Sequence, residues 1–240
     1  MLKIELFKSI RNKTFLYILS TVLLSYILGY ILPVGIDKVS QLGLGDFYFS
    51  TYTVFTQFGF LIFGFVIVYF VNKDYSDKTI LLNYFWGYNS LQFLLAKMAV
   101  LLLEFILSII ISNLLIAFLF HFSSFYFLFS SLMFSLIVLQ YILIVATISI
   151  LFSNLLVSIG VSLFYWLTSI ILVAVGGIFK IAAVFDASNS LYAVVEKALS
   201  EGRLADISTF FVIVPYILIL VLLSLFIGGI STKRWLKNGL

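Results

Sequence analysis

The stretch Met98–Lys180, MAVLLLEFILSIIISNLLIAFLFHFSSFYFLFSSLMFSLIVLQYILIVATISILFSNLLVSIGVSLFYWLTSIILVAVGGIFK, decides the fold. It runs for 83 residues with one acid, Glu104, and no lysine or arginine before its last position. A helix crossing a bilayer needs about 20 apolar residues. The run therefore holds three spans of about 25 residues if it is cut twice. His121-Phe-Ser-Ser124 and Ser153-Asn154 supply the cuts. The predicted spans are 98–120, 125–152 and 155–179, the last ended by Gly176-Gly177 and Lys180.

Two more spans lie upstream and one downstream. Residues 14–32 end at Pro33-Val-Gly35, and 52–71 are stopped by Asn72-Lys73-Asp74. Residues 210–230 are stopped by Lys233-Arg234. These runs are apolar all round, as lipid-embedded helices are, and lack the period-two alternation of barrel strands. The expected fold is an all-α membrane protein with six transmembrane helices. An interfacial helix precedes them, and a short extracellular helix joins the fifth to the sixth.

Composition agrees. The 240 residues are 63% hydrophobic and 10% charged, against about 45–50% and about 25% in soluble domains. Mean hydropathy is +1.23. A soluble enzyme, a disordered chain and a disulfide scaffold are excluded. With no cysteine, thiolate metal sites and cysteine nucleophiles are impossible. Lys3, Lys8, Arg11 and Lys13 precede a span-length run without a small-residue cleavage site. The first helix is therefore expected to be retained rather than removed as a signal peptide.

Six crossings place both termini on one side. That side carries ten basic residues: the four just named, Lys73, Lys78, Lys97, Lys233, Arg234 and Lys237. The other side carries Lys38, Lys180, Lys197 and Arg203, with Asp37, Asp46, Asp186, Glu196, Glu201 and Asp206. The positive-inside rule makes the termini cytoplasmic. The net charge of +4 is thus a topology signal, and no nucleic-acid motif accompanies it.

Outside the spans, Leu2, Leu6, Phe7 and Ile10 share one helical face of residues 1–13, with Lys3, Lys8 and Arg11 mostly opposite. Residues 72–97 form the one sizeable cytoplasmic segment. Asp77 is placed to cap a helix beginning near Lys78, and Gly87, Asn89 and Ser90 mark a turn before a second short helix. Tyr84, Trp86 and Tyr88 suit either interfacial anchoring or the docking of a cytoplasmic partner. In the external segment 180–209, Leu191, Val194, Val195, Ala198 and Leu199 recur at helical spacing, and Gly202 is a natural stop.

Chemistry is sparse. The lone histidine, His121, sits at a span edge and is far better explained as a polar stop than as a metal ligand. No glycine is followed by lysine, so the phosphate-cradling loop of P-loop ATPases is absent. No enzyme activity, metal or cofactor is expected in this chain. Glu104 is the one clear ion inside a span; hydrogen bonding to a neighbouring helix explains it better than a gating role. Pro215 is expected to kink the sixth helix near its outer end.

Together, Ile4-Glu5-Leu6-Phe7-Lys8, the run Asp74-Tyr75-Ser-Asp77-Lys78-Thr79-Ile80, and Leu94-Leu95-Ala96-Lys97 resemble the permease subunits of ABC-2 type ABC transporters. Lys78 stands where that family usually has glycine, and Gly87 lies near its usual proline. The resemblance implies a separate cytoplasmic ATPase subunit that binds ATP and magnesium. It also implies a second permease subunit, identical or homologous, with no nucleic acid and with membrane lipid around both. A coupling segment, Asp74, Tyr75, Asp77, Lys78, Thr79, Trp86 and Gly87, would seat in the ATPase. Helices one, two and five would line the route. It further implies a bacterial cell membrane and export of an amphipathic peptide, drug or lipid-like substrate, as in antimicrobial-peptide immunity. A secondary transporter or small channel is the alternative, and would need buried ionisable groups beyond Glu104.

Overall fold

Every regular element among the described residues is helical. The computed structural model describes residues 1–36, 38–39, 42–204 and 208–239. Asp37 and Asp206, counted above among the outer acids, lie outside them. The helices are α1 (Leu2–Arg11), α2 (Thr14–Ile31), α3 (Leu44–Gln57), α4 (Gly59–Ser76), α5 (Ile80–Phe85), α6 (Ser90–Leu119), α7 (Ser124–Ser149), α8 (Leu155–Val175), α9 (Ser190–Glu201), α10 (Ile213–Ile230) and α11 (Thr232–Gly239). Five stretches are long and apolar enough to cross a membrane, and the bent pair α3–α4 makes a sixth. The chain is a multi-pass, all-α membrane protein.

α7 is the hub. It packs against α3, α4, α6, α8 and α10, and 67% of its most apolar window is buried, against 22% for α8 and for α10. The centre is filled with rings: Phe55 stacks on Phe134 at 4.5 Å, and Phe63 meets Phe55 at 5.0 Å and Phe105 at 5.4 Å.

The second span departs most from expectation. It begins at Leu44 rather than Tyr52 and breaks at Phe58, where α3 and α4 diverge by 55°. Exposed backbone polar groups are not tolerated in hydrocarbon, so a break there needs a partner. Tyr141 of α7 supplies it. Its hydroxyl donates to the carbonyls of Phe55, at 2.8 Å, and Thr56, at 3.1 Å. Gly59 makes room: a Cβ there would lie 2.8 Å from the Tyr141 ring. α3 is held from outside by α9, whose buried Leu191, Val195, Ala198 and Leu199 pack over it. Tyr192 bonds Thr53 at 2.5 Å.

The expected kink at Pro215 is not there. Pro215 is the third residue of α10, just after the 3-10 turn Ser208–Val212. In a first helical turn a missing N–H costs little, and α10 continues unbroken to Ile230. The third span also starts earlier than Met98. Asn89 and Gln92 form a reciprocal capping box, which satisfies two otherwise orphaned donors. A single 30-residue helix follows in place of a second short helix and a span.

Candidate functional site

The face that carries both ends of the described chain is built from α1, the last turn of α4, α5, the first turns of α6, and α11. Four charged side chains meet inside it. α1 contributes Glu5 and Lys8, one turn apart; α4 contributes Asp74; α6 contributes Lys97. Lys8 lies 2.9 Å from Glu5 and 2.7 Å from Asp74. Lys97 lies 2.8 Å from the other Glu5 oxygen and also pairs with Asp74. Each carboxylate therefore bridges both ammonium groups in a closed, neutral ring. Lys97 further donates to the Phe70 carbonyl at 2.9 Å and sits 4.1 Å from the centre of the Phe70 ring.

The ring is buried: Glu5 is 0%, Lys97 2% and Asp74 4% exposed. Removing an ion from water costs several kcal/mol, and only close opposite charges and further hydrogen bonds offset that. Burial lowers the Lys8 pKa, but the Asp74 and Glu5 carboxylates outweigh it and hold the ammonium above its ordinary value. One turn after Glu5, Ser9 donates to the Glu104 carboxylate. Glu104 is thus a hydrogen-bonded contact between α1 and α6. The apolar residues Leu2, Phe7 and Ile10 point away from the protein and are exposed. The fully buried residues of α1, Glu5 and Ser9, are polar, and Leu6 is half-buried against the core.

The ring anchors α5. The Thr79 hydroxyl, just before α5, bonds Asp74. Behind Asp74, the Tyr75 hydroxyl donates to the Ile150 carbonyl at 2.8 Å, and Asn72 bonds Phe152 and Ser158. At the far end, Ser90 bonds the Gly228 carbonyl at 2.6 Å. Trp235 of α11, fully buried, packs against Phe93. On this rigid base α5 presents an apolar knuckle: Leu82, Tyr84, Phe85 and Trp86 are 54, 49, 77 and 59% exposed.

The residues singled out from sequence thus divide. Trp86 and Gly87 lie at the exposed knuckle, and Asp77 and Lys78 are exposed beside it. Asp74, Tyr75 and Thr79 instead tie the knuckle to the bundle, with Asp74 and Tyr75 buried. Asp77 does not cap the helix that follows it; α5 starts at Ile80 with Thr79 before it, and Asp77 is instead the C-cap of α4. Lys78 has φ +54 and Gly87 φ +80. Both turns flanking α5 therefore use the left-handed region, natural for glycine and strained for lysine. Glu5, Lys8, Ser9 and Lys97 were not anticipated as a unit. The available signal was Lys97 itself, a cation with Leu94-Leu95-Ala96 before it and Met98-Ala99-Val100 after it. Such a cation needs a carboxylate. Among the described residues no three His, Cys, Asp or Glu side chains are placed to hold a metal.

The family model described as "Peptide export permease protein YydJ family" matches residues 2–240. A relative from Bacillus subtilis (strain 168), described as a "Probable peptide export permease protein YydJ", is 41% identical over 241 residues, covering 100% of each chain. No solved structure matches.

Proposed function

The chain belongs to the peptide export permease protein YydJ family, and on that footing we propose that it is the membrane-spanning subunit of an ATP-driven exporter. Its substrate is an amphipathic peptide. ATP and magnesium are held by a separate cytoplasmic ATPase subunit, and both ends of this chain face the cytoplasm. The observation that carries the reading is the knuckle Leu82–Trp86. It is apolar, exposed, and fixed at its base by a buried ring of charge. A soluble partner closing around it would move α5, and the ring would pass that movement to α1, α4 and α6 together.

A second permease subunit, identical or homologous, completes the route. The bundle centre is filled by the Phe55, Phe63, Phe105 and Phe134 rings, so a path for a peptide runs beside this chain rather than through it. α8 presents Phe164, Ile171 and Val175 outward, and with α2 and α4 it forms the wall offered to that second subunit.

The test is gentle extraction of the intact chain with its native partners, followed by identification of what stays bound. An ATPase subunit in stoichiometric amount is expected, and Phe85→Asp should release it without changing the melting temperature. Absence of any ATPase from the wild-type preparation would overturn the reading.

A further inference from the structure

Between α1 and α5 lies an open groove of about 670 Å³. Phe7 and Ile10 of α1 form one wall, and Leu82 and Trp86 the other. Two polar groups in its lining have no partner in the fold. Asn83 is 1% exposed, and neither its amide nitrogen nor its amide oxygen has a hydrogen-bond partner. Leaving such a group unsatisfied costs about 1–3 kcal/mol. Arg11 is exposed and makes no ion pair among the described residues, whereas Lys8 beside it is neutralised by Glu5 and Asp74.

The depth of the groove narrows its occupant. From Leu119 back to Lys97, α6 rises about 33 Å at about 1.5 Å per residue, close to the ~30 Å hydrocarbon thickness of a bilayer. Lys97 and its ring thus mark one edge of the hydrocarbon, and the adjoining groove sits at the level of lipid phosphates. Leu16 and Tyr17 at the start of α2 also face outward, on a surface that lipid covers.

We propose that this groove binds one anionic phospholipid of the cytoplasmic leaflet. The phosphate pairs with Arg11, the glycerol ester region meets the Asn83 amide, and the acyl chains lie over Phe7 and Ile10. The site rests on the reading of this face as cytoplasmic, where anionic lipid attracts juxtamembrane cations. Bound lipid would brace α1 against α5 and so set the stiffness of the knuckle.

The test uses the full chain in mild detergent, titrated with dioleoylphosphatidylglycerol or dioleoylphosphatidylcholine, with bound lipid counted by native mass spectrometry. One phosphatidylglycerol is expected to bind in preference to phosphatidylcholine. Arg11→Gln should weaken it about fivefold, the worth of one basic residue at a membrane surface. Asn83→Leu should weaken it as well. Lys3→Gln, exposed on α1 outside the groove, should leave it unchanged. Equal weakening by Lys3→Gln and Arg11→Gln would overturn the site in favour of diffuse surface charge. Equal binding of the two lipids would overturn it too. So would an Arg11→Gln chain that keeps its phosphatidylglycerol and loses an ATPase subunit, which would assign the groove to protein docking. Failure of the ATPase assignment alone would leave the titration intact.

Discussion

The Lys97 ammonium lies 2.8 Å from the Glu5 carboxylate, in a site where both side chains are shut off from solvent. That contact joins the first helix to the third span. Glu5→Ala would leave Lys97 with less than its full complement of counter-charge in an apolar setting. Removing one partner of a buried pair costs about 3–5 kcal/mol, so a marked drop in melting temperature is expected. Glu5→Ala combined with Lys97→Met removes both charges and leaves Lys8 paired with Asp74, so it should cost less than the two single changes summed. Strictly additive losses would show that the Glu5–Lys97 pairing is not the source of stability.

Lys8 gives the ring a pH signature. Its folded pKa is raised above the ordinary 10.5, so its contribution is complete below the unfolded pKa and fades as pH climbs through the folded value. The stability gap between wild type and Lys8→Gln should be constant from pH 7 to about 10 and should close above that. Melting curves across this range check it; a gap that closes near neutrality would contradict the pairing.

The Tyr141 hydroxyl is the partner of two carbonyls at the α3–α4 break. Tyr141→Phe keeps the ring and removes the donor. A loss of about 1–3 kcal/mol is expected from buried acceptors left bare, with faster amide exchange on both sides of Phe58. Exchange unchanged around Phe58 would mean that packing alone holds the bend.

Lys78 occupies the left-handed region at φ +54, which costs a non-glycine residue about 1–2 kcal/mol. Lys78→Gly should therefore raise the melting temperature, while Lys78→Ala, equally strained, should leave it nearly unchanged. An equal rise in both would trace the effect to the lysine charge instead.

Much of the bundle could be read from the sequence because the spans are long and uniformly apolar, and 98–180 needed only two cuts. α3 could not. Gly43-Leu44-Gly45-Asp46 reads as loop, and what holds it as helix is α9 on top of it. Gly45 sits so close beneath the Leu199 carbonyl that a Cβ would approach it to 2.3 Å. The ring was hidden for the same reason. Glu5, Asp74 and Lys97 belong to segments far apart in sequence, and each, taken alone, looks like a surface charge beside a membrane. The turn at Gly87 was legible in the segment 72–97, but the ties that Asp74, Tyr75 and Thr79 make to the bundle were not. Charge reversal at Asp74 would break the ring, so Asp77 and Phe85 are the better probes of the surface.

The ring also imposes an order on biogenesis. Glu5 and Lys8 are synthesised before their partners, and Lys97 follows only after two spans and α5 have been made. At roughly 5–20 residues per second, α1 waits several seconds for its counter-charges. During that delay Leu2, Phe7 and Ile10 can rest among lipid headgroups while Glu5 stays hydrated. α1, made before its partners, thus cannot dock until α6 has been made, and its docking reports that the third span has arrived.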